Sequence, residues 1–85
     1  MHGERAFVGD EAMTDKEHRH LTQADRHIAE CKALIARQQE LVRRIAQRRQ
    51  PTDWAEDTLN ALQSSLRAFE AHRELIVSAL RAEHR

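Results

Sequence analysis

The sequence predicts an all-α fold, a two-helix antiparallel coiled-coil hairpin. Three observations lead there. Apolar residues recur at alternating spacings of three and four along two long stretches, which is the 3.5-residue period of coiled-coil packing. Neither stretch, 15–49 or 54–83, holds a glycine or a proline. Only Gln50, Pro51, Thr52 and Asp53 separate them. Two long helices joined by about four residues must fold back antiparallel.

Residues 1–13 hold both glycines, at positions 3 and 9, and no sustained period. They read as a flexible N-terminal arm. Thr14 stands three residues before Glu17. That is the spacing of a capping box, in which the hydroxyl and the carboxylate each satisfy a free backbone N–H. A helix over 15–49 follows, built from Ala, Leu, Glu, Gln, Arg and Lys, all good helix formers. At 1.5 Å per residue it is about 50 Å long.

Pro51 ends it, because proline biases Gln50 away from helical angles and offers no N–H. The turn is expected at 50–53. Asp53 and Glu56 form a second capping-box spacing. Asp57 adds negative charge to the first turn, where the helix dipole favours it. The second helix then covers 54–83.

The core seam follows from the period. On the first helix it takes Leu21, Ala24, Ile28, Cys31, Ile35, Gln38, Val42 and Ile45; on the second, Ala55, Leu59, Leu62, Leu66, Phe69, Arg73, Ile76 and Leu80. A turn centred near residue 52 makes facing numbers add to about 104. Ile45 then faces Leu59, Val42 faces Leu62, Ile35 faces Phe69 and Ile28 faces Ile76. Two layers are polar, Gln38 opposite Leu66 and Cys31 opposite Arg73. Polar residues in a seam cost stability and set register. Arg73 is expected to pack its stem and carry its charge outward, to Glu70, Glu74 or an acid on the first helix.

Some apolar residues miss the seam. Leu34 and Leu41 lie one heptad apart, and Trp54, Ala61, Ala68, Leu75 and Ala82 form a stripe at seven-residue spacing. A lone hairpin would leave them in water. A homodimer closing into a four-helix bundle would cover them, with Leu34, Leu41, Trp54 and Leu75 at its interface. The same stripe could instead dock a helix of an unidentified protein partner.

Composition closes off other classes. The chain has 85 residues, 40% of them apolar and 33% charged, with 14 basic against 14 acidic side chains. The zero balance argues against nucleic-acid binding, which depends on excess positive charge. One cysteine excludes a disulfide framework and a four-cysteine zinc site. No apolar run reaches the roughly 18 residues of a membrane span. No apolar stretch marks a signal peptide at the N-terminus, so the expected location is the cytoplasm. Ser64, Ser65 and Ser78 sit mid-helix with no glycine-rich elbow, and no phosphate-cradling loop exists. An enzyme is not expected.

Two side-chain groups carry chemistry beyond packing. His27 and Cys31 are four apart and share a helix face. On the 104 register His72 projects near them, and imidazole, thiolate and imidazole are zinc ligands. Metal or redox sensing through His27, Cys31 and His72 is therefore the alternative to an interaction module. Arg43, Arg44, Arg48 and Arg49 crowd the end of the first helix. They could hold an anion, although cations at a helix C-terminus also answer to the dipole.

The strings Arg26-His27-Ile28-Ala29-Glu30, Ile35-Ala36-Arg37-Gln38 and Ala71-His72-Arg73-Glu74, with Leu59, Leu62, Leu66, Ile76 and Leu80, lie within residues 21–80. Together they resemble a group of short helical-hairpin proteins of alphaproteobacteria, of the rhizobial type. The resemblance implies the hairpin fold and no activity. Those proteins usually carry a glycine in the turn, where this chain has Arg49-Gln50-Pro51-Thr52. Residues 33–45 are also similar to the first helix of the all-helical chorismate mutases, whose arginines could be matched to Arg37, Arg44 and Arg48. The lysine expected near that helix's end is absent, residues 46–85 show no match, and two helices stand where those enzymes have three.

Overall fold

The computed structural model of the chain describes residues 2–83, with side chains from Asp15 to Glu83. Two helices make it up, α1 (His2–Gln47) and α2 (Asp53–Glu83), in that order and with no strand among the described residues. They pack antiparallel as a rod of 71 × 16 × 15 Å. As a backbone element α1 starts at His2 and runs through the Thr14–Glu17 spacing read as its start. The backbone of residues 2–13, where an arm was expected, is thus part of α1, and the side chains of residues 1–14, with any cap by Thr14, lie outside the described ones.

The turn differs from the expected one in both of its halves. α1 ends at Gln47, two residues before Arg49. The Gln50 N–H donates to the Ile45 carbonyl at 3.2 Å and the Arg49 N–H to the Ala46 carbonyl at 2.9 Å. Arg49 takes φ 57°. This is a Schellman ending, in which a left-handed residue lets the chain turn back onto the last free carbonyls. Glycine usually holds that position; here an arginine does.

The second helix is capped by Thr52 and not by Asp53. The Glu56 N–H donates to the Thr52 carbonyl at 2.8 Å, the first bond of α2, so Thr52 is its N-cap. Thr52 Oγ1 in turn donates to Glu56 Oε2 at 3.0 Å. Asp53 is the first helical residue, where its charge meets the positive end of the dipole.

Between these ends the period holds. Each seam position from Leu21 to Ile45 and from Ala55 to Leu80 is buried or half-buried. Ala24, Ile76 and Leu80 form the buried centre of one cluster, with Leu21 packed against it. Among the described residues no large side chain is fully buried. The cause is geometric. Each helix has one neighbour, so a seam side chain is covered on one side and keeps an open flank.

The register is shorter than 104. Asp25 pairs with Arg73 and His27 with Phe69, so facing numbers add to 98 and 96. The Schellman ending shortens the turn, and the midpoint of the facing pairs falls at residues 48–49 instead of 52. Gln38 therefore does not oppose Leu66. Its Nε2 donates to the Ala55 carbonyl at 2.9 Å. Cys31 does not oppose Arg73 either. Its Sγ lies 3.4 Å from the Leu62 carbonyl, as donor. A polar group in the seam thus meets backbone of the facing helix, which leaves no buried side-chain N or O atom without a partner among the described residues.

Candidate functional site

The two open flanks of the seam differ in chemistry. Asp25 and His27, two residues apart on α1, project about 200° from one another. Asp25 marks the polar flank. Arg73 Nε donates to its Oδ1 at 2.6 Å, and Arg73 Nη1 lies 3.8 Å from Glu74 Oε1. The Arg73 guanidinium is held above its already high pKa, first by that hydrogen bond, then by the charge of Asp25. As expected, the stem sits in the seam and the charge reaches an acid on the first helix. Gln63, Arg67 and Glu70 continue this polar surface along α2.

His27 marks the other flank. Its ring lies 5.5 Å from that of Phe69, tilted by 44°. Here His27, Cys31 and Leu34 of α1 face Leu62, Ser65 and Phe69 of α2 across an open groove of about 270 Å³. Helical spacing extends the surface from Ser65 in both directions. Residues three and four apart share a face, so Trp54, Thr58, Ala61, Ser65, Ala68, His72, Leu75, Ala79 and Ala82 form a second 3–4 series on α2. Every one of them is exposed.

The four expected interface residues fall as follows. Leu75 is 70% exposed, Trp54 60% and Leu34 47%. Leu41 is half-buried. Between the large residues the flank is made mostly of small ones. Thr58 adds to its apolar character, because its hydroxyl donates back to the Trp54 carbonyl at 3.1 Å. The heptad-spaced apolar stripe is legible in the sequence. Its interleaved partners are not. Thr58, Ser65 and His72 are polar, and Ala79 falls between the seven-residue steps. The signal that finds Thr58, Ser65 and Ala79 is small size at alternating spacings of four and three.

The His27, Cys31 and His72 set is only partly assembled. His27 and Cys31 line one groove, but Phe69 is the residue that packs on His27. His72 lies three positions beyond it, toward the level of Asp25. Among the described residues no three of His, Cys, Asp and Glu gather into a group that could hold a metal ion. Cys31 is a buried free thiol that packs as a small apolar side chain.

The arginine group at the turn is divided. Arg43 pairs with Glu40, and Arg44 Nε donates to Glu40 Oε1 at 3.3 Å. Arg48 and Arg49 lie beyond the helix end, exposed, in the Schellman turn. One carboxylate thus already balances part of the expected anion site.

No helix among the described residues is long and apolar enough to cross a membrane. No protein-family model, no curated protein and no solved structure matches the chain.

Proposed function

We propose that this chain is a non-enzymatic helical interaction module that works by burying its apolar flank against another helical surface, first of all a second copy of itself. One observation carries the reading. Leu34, Trp54 and Leu75 stand exposed on a hairpin in which no large side chain is fully buried among the described residues. Covering that flank would stabilise by roughly 25 cal/mol for each Å² of apolar surface removed from water, and would close the open side of the seam in the same step. Two hairpins joined in this way make a four-helix bundle.

Charged side chains fit the role of selecting the partner. They rim the flank, and the opposite edge carries Asp25, Gln63, Arg67, Glu70 and Arg73, so association through the wrong face meets charge. The test is the mass of the chain in solution, by light scattering after gel filtration over a wide range of concentration. A dimer whose mass is constant down to micromolar protein is expected. A monomer at all concentrations would overturn self-association.

A further inference from the structure

We infer that two copies join through their α2 helices, side by side and running in opposite directions, on a second seam that α2 carries beside the one it shares with α1. The inference rests on the self-association proposed above and adds the helix, its direction and its register.

The second seam follows from position. Each residue of the exposed 3–4 series stands one place before a residue of the core seam, from Trp54 before Ala55 to Ala79 before Leu80. One place is about 100° around a helix. The two seams of α2 therefore point roughly at right angles, as they do where one helix of a four-helix bundle meets two neighbours. α1 is the first neighbour, and it has no second seam of its own to offer. Every second residue in its corresponding row is polar, namely Gln23, Glu30, Arg37 and Arg44. Burying charges of that kind unpaired is costly, so α2 is the docking helix.

Size selects the partner. The series on α2 is complementary to itself when reversed. Two antiparallel α2 helices whose facing numbers add to about 133–137 bring Trp54 onto Ala79 and Ala82 of the partner. Leu75 comes onto the partner's Thr58 and Ala61, and His72 onto the partner's Ala61 and Ser65. Ser65 and Ala68 meet at the two-fold axis. Each large side chain thus meets small ones, which close packing requires. Trp54 and Leu75, 60% and 70% exposed in the hairpin, are the side chains this covers. Other alignments fare worse. A slip of one heptad one way puts Trp54 on His72 and Leu75. A slip the other way carries Trp54 past Glu83, where α2 ends. A parallel pair in register sets Trp54 on Trp54 and Leu75 on Leu75. Large against large forces backbones apart.

The outer edge of this seam agrees with a close contact. It runs Asp57, Ser64, Ala71 and Ser78, all exposed. The row is small and carries one charge, so two axes can approach to about 8 Å, the near end of the usual range. Reversal brings Asp57 to the level of the partner's Ser78, a hydroxyl donor, and not to another acid.

The test uses the full chain. In a Cys31→Ala background, Ala68→Cys puts one thiol of each copy at the axis, and Gln50→Cys puts one in each turn. Antiparallel α2 helices bring the two Ala68 positions within reach of a disulfide and hold the two turns about 50 Å apart. Mild oxidation, followed on non-reducing gels, is expected to join Ala68→Cys at least tenfold faster than Gln50→Cys. A smaller difference, or the reverse order, would overturn this arrangement. Self-association would still stand if light scattering gave the mass of a dimer, and a monomeric mass would overturn both.

An exchange of sizes keeps the native cysteine. Within one copy Ala61 and Leu75 lie about 21 Å apart, so they meet only across the axis. Ala61→Leu alone is expected to raise the dimer dissociation constant at least fivefold by crowding, and adding Leu75→Ala is expected to recover most of that loss. A double variant no tighter than the single one would overturn the pairing.

Discussion

Arg73 and Asp25 tie the two helices together at 2.6 Å, on the polar flank and toward the end away from the turn. The bond is exposed, so water and salt screen it. Its use lies in register. A hairpin slipped by one heptad would leave Asp25 facing a different α2 residue and Arg73 a seam position without its acid. The raised Arg73 pKa adds no pH dependence near neutrality. A group whose folded pKa lies above its unfolded one stabilises fully below the unfolded value and stops doing so as pH rises through the folded one. For this guanidinium that window is strongly alkaline.

Arg73→Leu is therefore expected to raise the thermal unfolding midpoint. Leucine completes the apolar seam between Phe69 and Ile76, and the interaction given up is a screened one. Circular dichroism at 222 nm against temperature reads this. A lower midpoint would mean that the ion pair outweighs packing at this position.

Arg49 holds φ 57° without being glycine. A left-handed conformation costs a residue with a Cβ about 1 kcal/mol, and glycine occupies it freely. Arg49→Gly is expected to stabilise the hairpin by about 0.5–1 kcal/mol, less the flexibility that glycine adds to the unfolded chain. Arg49→Val is expected to destabilise it. Urea unfolding of the two variants checks both signs, and equal midpoints would mean that the turn relaxes out of the Schellman geometry.

The same residue explains which parts of this fold were legible in the sequence. The seam was, because a period of three and four survives from Leu21 to Ile45 and from Ala55 to Leu80 whatever the turn does. The register was not. It depends on where α1 stops, and nothing in Arg49-Gln50-Pro51 announces a left-handed arginine. The midpoint moved by three to four residues, and facing pairs moved by about two turns. That is why Cys31 meets the Leu62 carbonyl instead of Arg73, and why Phe69 takes the place expected for His72 beside His27. The flank was half legible. Leu34, Trp54 and Leu75 are visible as apolar residues off the seam, whereas Thr58 and Ser65 contribute smallness, which a hydrophobicity pattern does not register.

Cys31 is 4% exposed, with its Sγ against the Leu62 carbonyl. A thiol must reach the reagent as thiolate. Alkylation of the native protein by iodoacetamide is expected to be at least tenfold slower than that of the urea-unfolded chain. Equal rates would mean that the seam opens readily around this position. Cys31→Ala removes a single sulfur atom and is expected to cost about 1 kcal/mol of stability.

Ala68 tests the flank itself. It is exposed in the hairpin, so a larger side chain there meets only water in the monomer, and leucine is a good helix former. In the proposed dimer a second copy covers this flank, and the added isopropyl group crowds a close helix-on-helix contact. Overpacking of that kind typically costs about 1–3 kcal/mol, and about 1.4 kcal/mol is a factor of ten in affinity. Ala68→Leu is thus expected to raise the dimer dissociation constant at least tenfold while leaving helicity unchanged. Gln63→Leu, on the polar flank, is expected to leave the constant within about twofold. Sedimentation equilibrium over a concentration series measures all three proteins. Tighter association of Ala68→Leu would show that apolar area alone, and not close packing on small residues, governs how two copies meet.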